Sequence, residues 1–150
     1  MSKTLNTVEY IDSLLELTRQ GMEVSLIIAG GSMLPFLAGG RDTVSIKQPD
    51  RPMKRGDIVL FRRQNGQYVL HRLHHRNASG WYIIGDAQVQ LEGPVPESDI
   101  CAIVTGAMRK GTSVTPSQAI WKFFERVWIR IIPLRKFLEK AYITLKSTDK

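Results

Sequence analysis

Two periods of hydrophobic pattern alternate along the chain, and each predicts a different element. Over 7–20, Val8, Ile11, Leu14, Leu15 and Thr18 recur at helical spacing, which predicts an amphipathic helix. Thr7 is placed to cap its start and Gly21 to end it. The mainly apolar run Val24–Ile28 reads as a strand. After the Gly39-Gly40 turn, Thr43–Lys47 reads as a second. Gln48–Arg55, with two prolines and several charges, is a loop. Asp57–Arg63 and Gln67–Leu73 are strand-like and flank Asn65-Gly66, a strong short-range hairpin signal. Trp81–Gly85 and Ala102–Met108 add two further strands. The fold class implied is mainly β, with a short helix in front and a helical segment behind.

That last segment differs in composition from what precedes it. From Ser117-Gln118-Ala119-Ile120 a helical pattern runs past Tyr142, carrying Trp121, Phe123, Phe124, Trp128 and Phe137. Lys122, Arg126 and Arg130 fall at steps of four on one stripe, and Pro133 is expected to kink or break the helix. The organisation expected is a β domain with its N-terminal helix over 1–114 and a basic, aromatic helical extension over 115–150.

Charge and cysteine usage narrow the class. The 150 residues carry a formal net charge of +7, which favours an anionic partner such as an acidic peptide, nucleic acid or an anionic membrane surface. Nucleic acid is not expected, because basic and aromatic residues do not interleave in the β region and no nucleic-acid motif is present. Cys101 stands alone, so there is neither a disulfide framework nor a cysteine-based metal site, and a reducing compartment is the simplest fit. The N-terminus lacks the apolar core of a secretory signal, and no uninterrupted apolar run is long enough for a membrane span. The expected location is the cytoplasm or the cytoplasmic face of a membrane. The Asn77-Ala78-Ser79 sequon carries no meaning in such a chain.

The candidate chemistry begins at Gly30-Gly31-Ser32-Met33-Leu34-Pro35. Two glycines permit close backbone approaches, and Pro35 keeps Leu34 extended. Ser32 is thereby set on a tight turn with its hydroxyl open, a geometry that suits either a nucleophile or an ordinary turn. A two-residue Asn65-Gly66 turn would pair Gln64 with Gln67 and bring His71 opposite Leu60. Val69, His71 and Leu73 then share one face. A connection of four or five residues places His71 opposite Gly85 or Asp86. A neutral imidazole is the usual agent for taking a serine proton at pH 7, and a carboxylate can hold its tautomer. No metal is expected: His74 and His75 should point to opposite faces, and the acids are not spaced to close a site. No cofactor is expected.

Four segments, in order over residues 24–108, resemble the signal peptidase superfamily of serine peptidases. They are Gly31-Ser32-Met33-Leu34-Pro35 with its Gly39–Val44 continuation, Gly56-Asp57-Ile58-Val59, Val69-Leu70-His71-Arg72-Leu73, and Ile84-Gly85-Asp86-Ala87-Gln88. A histidine in the third segment makes the resemblance one to the endoplasmic-reticulum and archaeal type, whose base is histidine. The resemblance implies a coiled antiparallel sheet and a serine endopeptidase, with Ser32 as nucleophile and His71 as base. Asp86 or Glu92 would be the acid orienting His71, and the turn Gly31, Ser32, Met33, Pro35 would hold substrate and oxyanion. It also implies a peptide or protein substrate of leader type. The chain departs from the family in lacking an N-terminal transmembrane anchor and in having Gly30 where many relatives carry a hydroxyl, which leaves the oxyanion to backbone amides. A self-cleaving relative would use lysine and bring a helix-turn-helix domain, which one N-terminal helix cannot supply. A binding module that keeps the fold without catalysis is the rival from another class. Residues 118–144 lie outside the resemblance. They read as a peripheral membrane anchor, as a helix packed on the β domain, or as a groove for a partner or leader peptide.

Overall fold

The computed structural model describes residues 3–132. The leading helix, α1 (Lys3–Arg19), begins four residues earlier than expected, so Thr7 lies within it instead of capping it. Ile11, Leu15 and Thr18 are buried on one stripe, while Asp12, Ser13, Glu16 and Arg19 face outward. The helix ends where Gly21 adopts φ +89°. The Gly21 and Met22 amides there donate to the Thr18 and Leu17 carbonyls, satisfying two carbonyls that the helix leaves over.

Seven strands follow as β1 (Val24–Ile27), β2 (Thr43–Lys47), β3 (Ile58–Arg62), β4 (Tyr68–Asn77), β5 (Gly80–Ile84), β6 (Glu92–Val95) and β7 (Ile100–Arg109), and β8 (Thr112–Val114) returns along β7. They form one antiparallel sheet of order β1-β2-β7-β3-β4-β5-β6, with β8 also on β7. The mainly β class is therefore what the chain adopts. The expectation lacked β6 and β8, which are three or four residues long and carry little alternation.

The sheet bends because its ladders shift register at Ser45/Ile46, Leu60/Phe61, Leu73/His75 and Trp81/Ile83, and such irregularities increase local twist. Both faces of its middle are buried. Along β3, Ile58 and Leu60 enter one core with Ile11, Leu15, Leu26, Val44 and Val104, whereas Val59 and Phe61 enter a second with Leu73, Trp81, Ile83 and Val95. A strand covered on two sides needs a continuous apolar run, which Ile58–Phe61 supplies.

The β3–β4 hairpin corrects the expected register by one residue. His71 lies opposite Val59 and Leu60 opposite Leu70. The turn uses three residues: Arg63 and Gln67 close it through the Arg63 amide, the Gly66 amide bonds back to the Arg63 carbonyl, and Gly66 takes φ +91° while Asn65 keeps negative φ. Asn-Gly had suggested a two-residue turn with both residues at positive φ. The extra residue is accommodated instead as a glycine bulge. The shared face of Val69, His71 and Leu73 survives, because pairing partner changes while alternation within the strand does not.

After β8 the chain packs onto the first core. An α-helical turn (Ala119–Lys122), a π-helical turn (Phe123–Val127) and a 3₁₀ turn (Trp128–Arg130) replace the uniform helix expected there. Trp121, Phe124 and Ile129 are buried, and Phe123, Val127, Arg126 and Arg130 are exposed. Pro133 and residues 133–144 of the expected helix lie outside the described residues. Among the described residues no helix is long and apolar enough to cross a membrane.

Candidate functional site

The loop between β1 and β2 is folded back on itself by main-chain bonds. The Gly39 amide donates to Gly30, the Gly40 amide to Ile28, and the Ile28 amide to Asp42. A methyl on Gly39 would come within 2.5 Å of the Gly30 nitrogen and oxygen, so the approach requires glycine. Asp42 locks the base of the loop. Its buried carboxylate accepts from the Ala38 and Lys110 amides and from both arms of Arg41. Burial pushes this acid up, but the Arg41 pair and the two amides outweigh it and hold it at about 2.

Phe36, fully buried, anchors the same loop from below. It stacks on Phe124 at 4.8 Å, meets Trp121 edge-on at 5.6 Å and lies under the Arg72 guanidinium at 5.7 Å. Burying one phenylalanine contributes roughly 2–3 kcal/mol. Four residues before this anchor stands Ser32, partly exposed, with Gly30 at φ +76° allowing the chain to turn just ahead of it.

Ser32 and His71 line the same cleft, of about 360 Å³. One wall runs from Leu26 and Ile27 at the end of β1 to Met33 in the loop after it, and the other is Gln67 with the first four residues of β4 (68–71). The gap exists because β5 pairs with β4 only from Arg72 onward, leaving the first part of β4 without a neighbour on that side. The Gly85–Gln88 turn joins the two walls: the Ala87 amide donates to the Ser32 carbonyl at 2.9 Å. A methyl on Gly85 would lie 2.4 Å from that carbonyl oxygen and 3.2 Å from Cδ2 of His71. Gly85 is thus the contact point between the serine turn and the imidazole, and it is the Gly85 alternative that His71 faces, since Arg72 pairs with Ile84.

His71 is 1% exposed, 6.0 Å from the Phe61 ring, and its Nδ1 is buried without a hydrogen-bond partner. Burial lowers its pKa from 6.5 to about 4; Glu92 opposes this, Arg63 adds to it, and Asp86 opposes it more weakly. The imidazole is therefore neutral at pH 7, the form that can accept a proton. Among the described residues no hydrogen bond joins it to Ser32 or to either acid.

Both acids are already paired. Asp86, fully buried, accepts from Nε and Nη2 of Arg72 at 2.9 Å each, and Arg72 donates its remaining arm to the Gly56 carbonyl. Trp128 Nε1 donates to the Asp86 main-chain oxygen, tying the C-terminal segment to this turn. Glu92 accepts from Nε and Nη2 of Arg63 at 2.9 and 2.8 Å, which lowers its pKa. Asp86 is thus taken by a competitor: Arg72, adjacent to His71 and pointing to the opposite face, holds its carboxylate. Glu92 sits opposite Ile83 on the face that His71 occupies and exerts the larger charge effect on it. Neither Arg63 nor Arg72 was singled out from sequence. An arginine inside the apolar run Val69–Leu73 is the signal that could have found the second, because a buried guanidinium requires a carboxylate.

Of the turn residues, Gly31 and Ser32 open to the cleft, whereas Met33 lines it from a buried position. Pro35 is exposed, with its carbonyl accepting from Arg109 at 3.3 Å. Lys54, in the loop before β3, keeps its side chain largely exposed, pairs with Glu125 at 3.0 Å and does not line the cleft. His74 and His75 were expected on opposite faces. The bulge after Leu73 breaks alternation and brings their Nδ1 atoms to 2.8 Å, with His75 stacked on Tyr82. Among the described residues no group of three or more His, Cys, Asp or Glu side chains could hold a metal ion.

No protein-family model, curated protein or solved structure matches the chain.

Proposed function

We propose that the chain is a serine endopeptidase of the signal-peptidase-like, histidine-base kind. The observation that carries this reading is the meeting of Ser32 and a neutral, buried His71 in one cleft between two open strand edges. Such edges suit an extended peptide, which adds main-chain hydrogen bonds to both walls. In the mechanism His71 takes the Ser32 proton as Oγ attacks the peptide carbonyl, and then returns it to the leaving amine. Main-chain amides of the Gly31-Ser32 turn would hold the oxyanion. Glu92 is favoured over Asp86 as the acid that steadies the imidazolium, because it sits on the face that His71 occupies and exerts the larger charge effect on it, although both acids are paired with an arginine. Binding of substrate would have to close the Ser32–His71 hydrogen bond, as catalytic contacts often tighten only in the complex.

The substrate class is a peptide or leader-bearing protein. A location in the cytoplasm or at its membrane surface goes with this reading, with Phe123, Val127, Arg126 and Arg130 as the exposed part of a peripheral contact within 118–144. The unpartnered Nδ1 of His71 also favours a second reading, a peptide-binding module without turnover.

Labelling with a serine-reactive fluorophosphonate separates the two. Modification at Ser32, read by mass spectrometry and lost in both Ser32→Ala and His71→Ala, is expected of the peptidase. Cleavage of a tagged leader substrate equally by wild type and Ser32→Ala would sink it.

A further inference from the structure

Helix α1 has no part in the chemistry above, yet it touches both walls of the cleft. The Tyr10 hydroxyl accepts from the Ile27 amide at 3.4 Å, on the outer edge of β1. Two residues further on, Asp12 accepts a hydrogen bond from the Tyr68 hydroxyl of β4. Thr7, Tyr10 and Ile11 line the cleft together with Ser32 and His71. The helix is firmly seated, with Ile11, Leu15 and Thr18 buried beneath it.

The main chain of β1 shows what this contact does. The Ile28 amide donates across to Asp42, on the β2 side. Amide directions alternate along a strand, so the amides of Ile27 and Ala29 point to the open edge. These are the groups a pairing peptide would use, and Tyr10 already takes the one at Ile27. The same helix is bonded to the other wall through Asp12 and Tyr68, and Tyr10 and Tyr68 both line the cleft.

We infer that Tyr10, with Thr7 and Ile11, is the end wall of the peptide groove and limits how much of a substrate is read along β1. Pairing is confined to the Ala29 side of Ile27, so only a short stretch of peptide on that side of the scissile bond contributes to recognition. Tyr10 is thus a specificity-determining residue and takes no part in bond breaking. This inference rests on the endopeptidase reading.

The test uses the full chain. A random pool of peptides about ten residues long first yields a cut sequence by mass spectrometry. Nested peptides, extended one residue at a time from each end, then give kcat/KM for wild type, Tyr10→Ala and Tyr10→Phe. In wild type the gain along one end should level off within about three residues. Tyr10→Ala should restore a gain of about fivefold for the next residue, the worth of one added main-chain hydrogen bond. Tyr10→Phe, which keeps the ring, should still level off and reports on folding. A steady climb at both ends in wild type, or an unchanged plateau in Tyr10→Ala, overturns the wall while leaving the peptidase standing. If the pool is not cut, the peptides retained by immobilised Ser32→Ala protein are sequenced, nested and titrated instead. The same plateau and its loss in a Ser32→Ala/Tyr10→Ala variant would then support the wall without the chemistry. No retention at all brings down the endopeptidase reading and the wall together.

Discussion

Acidification should weaken this protein earlier than its carboxylates can explain, and His71 is the reason. Its pKa is about 4 in the folded state and 6.5 when unfolded. The unfolded chain therefore binds the proton first as pH falls, and stability supplied by a neutral imidazole is complete above 6.5 and lost as pH drops toward 4. Applying proton linkage to these two values gives a loss of about 2 kcal/mol between about pH 7 and about pH 5. That is a large share of a typical folding free energy of about 5–15 kcal/mol. Asp42 does not contribute in this window, since its own loss runs from 3.8 down through about 2. Urea unfolding at the two pH values measures the difference directly. His71→Gln, whatever its cost at neutral pH, should remove most of the dependence. An unchanged midpoint in wild type, or an equal loss in the variant, would refute a buried neutral His71.

Three further outcomes test the framework around the cleft. Gly85→Ala forces a methyl against the Ser32 carbonyl and should cost about 1–3 kcal/mol, with Ser32 labelling reduced more than Cys101 labelling in the same folded sample. Asp86→Asn leaves the Arg72 charge buried and half-paired, so thermal unfolding should show a loss of about 3–5 kcal/mol; a neutral result would mean that the pair is open to water. Glu92→Gln removes the main influence raising the His71 pKa, so an NMR titration of His71 should move to lower pH, with little change in stability because the Arg63–Glu92 pair is partly exposed. A larger movement in Asp86→Asn would reverse the assignment of the orienting acid.

Much of this molecule is determined locally and is therefore legible in its sequence. The alternation of Val69, His71 and Leu73 fixes their common face whatever strand lies beside them, and the Ile58–Phe61 run announces a strand covered twice. Thr43–Lys47 forms just where its pattern places it. Gly21 marks a helix end, whereas the close approaches fall at Gly39 and Gly85, where a side chain would meet another backbone, and these only the fold reveals. What the tertiary structure decided is the choice of partner. Whether Asn65-Gly66 turns in two residues or three depends on which register buries both faces of β3, and that one-residue choice moved His71 from Leu60 to Val59. A carboxylate near a histidine in sequence is equally available to a guanidinium, and burial gave Asp86 to Arg72 and Glu92 to Arg63. The aromatic C-terminal stretch carries the same residues whether it seeks a membrane or a core. Phe36 settled the matter for Trp121 and Phe124, which it holds against the sheet beneath the serine turn. Local pattern fixes which side chains face inward. Only the packed whole, through competition for buried charge and surface, fixes what each of them touches.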